Sequence, residues 1–220
     1  MIVDYEMAQI MIHYFVSKAI GTRRFVRPRV VVTMPGDVSK VERRAVINTM
    51  EKIGARQIFV VEQAFAAALG TGLPVYEPQG SFIVDIGGGT SEVAVISLGG
   101  IVAARSVRVG GDEFDSSIIQ YIKKKYNLLI GERTAEDVKI QIGSAFPYED
   151  EAPMEIKGRN LVDGLPKNIM VEPHEIREAL ADPLELVMDA IKTTLERTPP
   201  ELSADIIDHG ITLAGGGAML

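Results

Sequence analysis

The segment of this sequence best suited to chemistry is Val84-Asp85-Ile86-Gly87-Gly88-Gly89-Thr90-Ser91-Glu92-Val93. Three consecutive glycines between two apolar runs permit backbone torsions that other residues avoid, so successive amide N–H groups can converge on one point. Such a nest binds anions, and phosphate is the common one. Thr90 adds a hydroxyl donor. Asp85, at the end of the preceding apolar run, stands where it can hold Mg²⁺ through water, as hard cations accompanying phosphates prefer. The plainer alternative is a hairpin turn, where Gly-Gly is routine; a third glycine and a strand-end aspartate exceed what a turn needs.

A second run, Leu213-Ala214-Gly215-Gly216-Gly217-Ala218, follows a short apolar strand and opens toward a helix. Glycines there let a ligand lie against the backbone near a positive helix terminus, although such glycines also serve close packing. Paired with the first run, they make two walls of one nucleotide cleft. The P-loop pattern is absent, and Gly87-Gly88-Gly89 lacks the G-x-G-x-x-G spacing of a dinucleotide site.

The elements that must hold these turns follow from periodicity. Phe82-Ile83-Val84, Val93 to Ile96 and Ile101 to Val109 read as three strands joined by glycine-rich turns, hence antiparallel hairpins. Upstream, Asp4 caps a helix with Met7, Ile10, Met11, Tyr14 and Phe15 on one face, closed by Gly21. Arg29 to Met34 reads as a buried strand. Ser39 and Glu42 form a capping box that opens a helix to Gly54, Ile58 to Val61 is a strand, and a helix runs from Ala64 to Leu69. This alternation implies a parallel sheet packed with helices. Downstream, Gly110-Gly111-Asp112 leads into a helix with Phe114, Ile118, Ile119 and Ile122 on one face, and a short helix follows Thr134. A small hairpin surrounds Asp163-Gly164. Pro173 starts one helix and Asp182-Pro183 a second, since proline suits the first helical position. Ile211 to Leu213 is the last strand.

Composition narrows the function. With 46% hydrophobic and 24% charged residues the chain is globular, and its net charge of −7 has the wrong sign for a nucleic-acid partner. No cysteine is present, so disulfides, thiolate metal sites and a cysteine nucleophile are excluded. No apolar run is long enough to span a membrane. His13, His174 and His209 show no metal spacing and read as structural or surface residues. Lys123-Lys124-Lys125 reads as the solvated face of a helix. The stretch from Gly21 to Arg29 sets four arginines around Phe25-Val26: it suits an anionic membrane surface, where the charges attract and the apolar side chains insert. The alternative is a loop whose Phe25 tucks into the core.

Taken together, these residues resemble the actin/chaperone/sugar-kinase ATPase superfamily, and more narrowly the bacterial MreB-like rod-shape proteins. Asp85 to Glu92 looks like that family's second phosphate loop, and Gly215, Gly216, Gly217, Ala218 and Met219 like its adenosine loop. Gly131 to Lys139 is similar to the segment that packs on ribose and base, which brings in Glu136, Asp137, Val138 and Lys139. As a bare pattern Glu136 and Lys139 share a helix face and make a surface ion pair worth a few tenths of a kcal/mol. Gly143-Ser144-Ala145, Arg159-Asn160-Leu161 and Pro199 to Leu202 add family wording.

The resemblance implies an α/β, actin-like ATPase (ribonuclease H-like) fold, incomplete, with a small inserted α+β subdomain. Residues 1–72 would be the remainder of the first lobe, 73–110 and 181–220 the second, and 111–180 the insert. The family's first phosphate loop has no counterpart, and both termini read as cut within a fold, so a fragment is expected. Val61-Glu62-Gln63-Ala64 matches the linking helix where the family often reads Glu-Glu-Pro. Gln63 thus stands at the position of the acid that positions the attacking water. An amide can orient water but cannot take its proton, so weak ATPase activity at most is expected, with Glu62 a fallback and Thr90 beside it. The implied cofactors are ATP and Mg²⁺. The implied partners are further copies of the chain in filaments, the inner face of the cytoplasmic membrane through Phe25 and Val26, and cell-wall synthesis machinery. The implied location is cytoplasmic, peripheral at the membrane, and the role is control of cell shape. A small-molecule kinase or phosphatase of the same superfamily, or a non-catalytic remnant, are the alternatives.

Overall fold

The structure, a computed structural model, describes residues 5–21 and 27–220; Asp4, Phe25 and Val26 lie outside them. The chain divides into two compact units, Met1–Ala66 and Ala67–Leu220.

The first unit holds α1 (Tyr5–Ile20), β1 (Arg29–Met34), α2 (Lys40–Lys52), β2 (Gln57–Glu62) and the start of α3 (Gln63–Gly70). The capping box forms as its spacing predicts: Ser39 Oγ accepts from the Glu42 amide at 3.2 Å, and Glu42 accepts from the Ser39 amide at 3.0 Å. β1 and β2 pair in parallel from Arg29↔Gln57 to Met34↔Glu62, and Val30, Val32, Ile58 and Val60 pack with Met34, Val46 and Met50. β1 is not the wholly buried strand that its β-branched run predicts. Its alternate face, with Val31 opposite Phe59 in the ladder, is 66% and 49% exposed, because side chains alternate across a strand and this small core covers one side. The apolar stripe of α1 likewise faces outward, from Met7 to Phe15, while Ile12 packs against the small core.

In the second unit, β3 (Ser81–Ile86), β4 (Ser91–Ser97) and β5 (Gly100–Val107) form the expected antiparallel meander. Next come α4 (Gly111–Tyr126), β6 (Leu128–Leu129), α5 (Glu132–Ile142), β7 (Met154–Asn160) and β8 (Pro166–Val171). The chain ends with α6 (Pro173–Glu196), α7 (Pro200–His209), β9 (Ile211–Ala214) and a 3-10 turn at Gly216–Met219. β9 joins β3 in parallel, giving the order β5-β4-β3-β9, and β6-β7-β8 form a separate sheet. Phe82, Val84, Ile86, Val93 and Val95 line one face of the larger sheet. They share a core with Phe114, Ile118 and Ile122 of α4, Val138 of α5, and Ile176, Leu180 and Val187 of α6.

The two helices expected at Pro173 and Pro183 are one. α6 runs through Pro183, although that proline has no amide to donate and its ring crowds the preceding turn. Ile176, Leu180, Pro183, Val187, Ala190 and Thr194 form a single buried stripe along it, so burying both halves on one sheet face outweighs the local cost.

Candidate functional site

The parallel pairing of β3 with β9 decides the geometry of the site. Asp85 lies opposite Ala214, so both glycine turns leave the same edge of the sheet side by side. Gly215 has φ +84°, and a Cβ there would run into the Ile86 carbonyl and come within 2.7 Å of the Asp85 carboxylate. Only glycine meets both demands.

The first turn is built differently from the torsion argument. None of Gly87, Gly88 and Gly89 has positive φ. The Gly87 amide donates to Thr90 O at 2.9 Å, closing the turn. The Gly87 and Gly88 carbonyls accept from the amides of Gly111 at 3.0 Å and Asp112 at 2.8 Å, seating the start of α4 on the turn. Gly110 must be glycine for this approach, since a Cβ would lie 2.6 Å from the Gly88 carbonyl oxygen. At Gly88 and Gly89 the nearest atoms a Cβ would meet are the Asp112 carboxylate oxygens at 3.9 Å, so the outer side of the turn is open. Behind it Ser91 Oγ donates to Val109 O at 2.7 Å.

A cleft of about 530 Å³ opens over these turns. Of the residues singled out in the sequence, Gly87, Gly88, Glu136, Lys139, Gly216, Gly217 and Met219 line it. Asp85 is buried at the end of β3, Thr90 is half-buried behind the turn, and Gly89 is exposed beyond the rim. Gly215 lies beneath, against Asp85; Ala218 follows in the 3-10 turn. Asp137 is exposed outside the cleft, and Val138 is fully buried in the core between α4 and α6. Glu62, exposed at the end of β2, and Gln63, half-buried at the start of α3, belong to the first unit.

Sequence reasoning passed over the start of α4, which contributes Gly111, Asp112, Phe114 and Asp115, and over Ile140 and Leu220. The signal was present: a Gly-Gly-Asp ahead of a helix directly after a glycine-turn hairpin marks a close backbone approach. Lys139 Nζ lies 2.9 Å from Asp115 Oδ1 and donates to the Gly111 carbonyl at 3.0 Å. The i, i+3 pair with Glu136 is therefore not its main engagement.

A second charged cluster joins α4 to α6 away from the cleft. Glu175 is 3% exposed. It accepts from the Glu172 amide at 2.7 Å and Tyr126 Oη at 2.5 Å, and pairs with Lys125 at 2.6 Å. Burial pushes the Glu175 carboxyl up, but these donors outweigh it and hold it below its ordinary value. Burial, then the bond to Glu175, pushes Tyr126 up to about 12. Lys123, Lys124 and Lys125 are all exposed, as the solvated face read for the lysine run requires, and Lys125 reaches from that face to Glu175. Among the described residues no group of three or more His, Asp or Glu is placed to hold a metal, and no helix is long and apolar enough to cross a membrane.

Comparison with known proteins agrees with this architecture. The family model described as MreB/Mbl protein matches residues 1–220. The chain is 46% identical to the cell shape-determining protein Mbl of Bacillus cereus (strain ATCC 10987 / NRS 248) and 47% identical to MreB of Escherichia coli (strain K12). In both cases all of this chain is covered, and it spans 66% and 63% of those relatives' length. It superposes on MreB5 of Spiroplasma citri, crystallised bound to AMPPNP, with a TM-score of 0.94 and 42% identity, covering 100% of this chain and 66% of that one. By fold this is an actin-like α/β ATPase scaffold, and the chain belongs to the MreB/Mbl family.

Proposed function

We propose that this chain binds ATP with Mg²⁺ in the cleft between its two glycine turns, and that the nucleotide governs assembly into membrane-associated filaments that set cell shape. The observation that carries the reading is the side-by-side exit of both turns from the adjacent parallel strands β3 and β9. The phosphates would lie on Gly87 to Thr90, where the outer side of the turn is open. The nucleoside would lie between Glu136 and Lys139 on one wall and Gly216 to Met219 on the other, all lining the cleft but Ala218. Its AMPPNP-bound structural relative supports a nucleotide over other phosphate ligands.

The fit to a magnesium nucleotide is chemical. Asp112 and Glu136 add negative charge to the walls, while Lys139 is held by Asp115. A polyphosphate therefore enters best with a divalent cation neutralising it. Mg²⁺ is typically bound by one or two carboxylates plus substrate phosphates rather than by a protein cage, and Asp85 is the residue we assign to it. Gln63, Glu62 and Thr90 are assigned to the attacking water, with hydrolysis slow because an amide takes no proton. In this reading residues 1–72 belong to one lobe, 73–110 and 181–220 to the other, and 111–180 to its insert, which contains the β6-β7-β8 sheet. Phe25 and Val26 are assigned to the inner face of the cytoplasmic membrane, where filaments of stacked copies would direct cell-wall synthesis.

Electron microscopy and co-sedimentation with anionic vesicles test the whole reading. ATP with Mg²⁺ should yield vesicle-bound filaments, and Phe25→Ser with Val26→Ser should release them from lipid with an unchanged melting temperature. Absence of both filaments and lipid binding would remove the assembly role, and a lowered melting temperature would place Phe25 in the core.

A further inference from the structure

Asp115 lies outside every set of residues that sequence patterns select, yet it stands at a junction of the cleft. One turn into α4, its Oδ1 is buried and meets the Lys139 ammonium of α5 at 2.9 Å, a contact of charge more than of hydrogen-bond alignment. Both side chains are only 15% exposed. The same ammonium donates to the Gly111 carbonyl at 3.0 Å. Gly111 in turn donates its amide to Gly87 at 3.0 Å, and Asp112 donates to Gly88 at 2.8 Å. A chain of contacts thus runs from α5 through one ammonium group to the phosphate-side turn.

We propose that Asp115 is a positioning residue of the cleft: by anchoring Lys139 on the Gly111 carbonyl, it clamps α5 to the start of α4 and fixes the Gly87–Gly88 turn. Three consequences follow from the chemistry. Of the ammonium's three donors one goes to the Gly111 carbonyl, and the charge of Asp115 Oδ1 at 2.9 Å holds the group there, so its position at the cleft is set before a ligand arrives. Its charge is balanced by Asp115, so the turn's attraction for phosphate rests on amides and an accompanying cation and not on Lys139. Asp115 is half-buried with its Oδ1 out of solvent, so removing the ammonium would leave that oxygen without a compensating charge.

This inference rests on the nucleotide reading for its effect on affinity but not for its effect on the turn, and two measurements keep these apart. Amide hydrogen exchange on the ligand-free chain reads the clamp directly. Asp115→Asn should speed exchange at the hydrogen-bonded amides of Gly87, Gly111 and Asp112, while the amides of α6 keep their rates; Asp115→Glu should restore protection. Calorimetry with ADP and Mg²⁺ should show Asp115→Asn weakening binding about tenfold, equivalent to about 1.4 kcal/mol. In a Lys139→Met background the same substitution should add no further loss, because both act through one contact. Unchanged exchange in Asp115→Asn overturns the proposal, as does tighter ADP binding, which would mean that the freed ammonium reaches phosphate itself. If the unsubstituted chain binds no ADP, the nucleotide reading fails, and the exchange rates still decide the clamp.

Discussion

Gly215 and Gly88 look alike in the sequence and differ in what they tolerate. Gly215 combines φ +84° with backbone packed against it, whereas Gly88 has ordinary φ and open space on its outer side. Gly215→Ala is therefore expected to cost about 2 kcal/mol or more in folding stability, from backbone strain plus the contact with Ile86 and Asp85. Gly88→Ala should leave the melting temperature nearly unchanged and weaken ADP binding about tenfold, equivalent to losing one contact of roughly 1.4 kcal/mol. Thermal melts and calorimetry on the two variants separate these effects, and equal destabilisation of both would refute the distinction. At this scale the sequence revealed which residues cluster but not why each is glycine. That the triplet at Gly87 belongs to a cleft was legible, yet its glycines serve close approach and open space, which depend on α4 arriving at the Gly87 and Gly88 carbonyls. Val138 shows the opposite limit: four consecutive residues cannot all face one cleft on a helix, and it faces the core.

The join between α4 and α6 depends on Glu175, whose carboxylate caps α6 and collects Tyr126 and Lys125. Its carboxyl is held below the ordinary 4.5. The stabilisation is therefore complete above that value and is lost as the pH falls through the lower folded one. Tyr126, raised from 10.0 to about 12, favours its protonated form in the fold, so its contribution persists below 10.0 and fades as the pH rises toward about 12. Glu175→Gln should lower stability by about 2 kcal/mol at neutral pH, the loss of charged hydrogen bonds in a buried place. It should also flatten the acid side of the curve. Melting temperatures in buffers from neutral pH to below 4.5 check this, and an acid limb unchanged in the variant would contradict it. Elements with strong local signals were legible, including the Ser39 capping box, the β3-β4-β5 meander and the β7-β8 hairpin. Pro183 misled because its local preference yields to a buried stripe that only the whole of α6 makes visible. β1 misled because a β-branched run does not say how many of its faces are covered.

For the whole molecule, the decisive feature is one that no local pattern states: residues near 86 and near 215 are far apart in sequence and adjacent in the sheet. Strand order β5-β4-β3-β9 brings them together. The sequence offered the pairing of the two glycine runs only as chemistry that made sense together and as wording resembling a family. The Gly-Gly-Asp at the start of α4 marked a close backbone approach but not what it approaches, and the lysine run gave no hint of Glu175, because these roles arise from partners supplied by the first turn, α5 and α6. The central claim is that both turns grip one nucleotide. It is tested most directly by following backbone amide resonances of the chain during titration with ADP and Mg²⁺. Residues 87–90 and 215–219 should shift together along one saturation curve, and Asp85→Ala should abolish the magnesium dependence of both. Shifts confined to one turn, or two curves with different midpoints, would contradict the account.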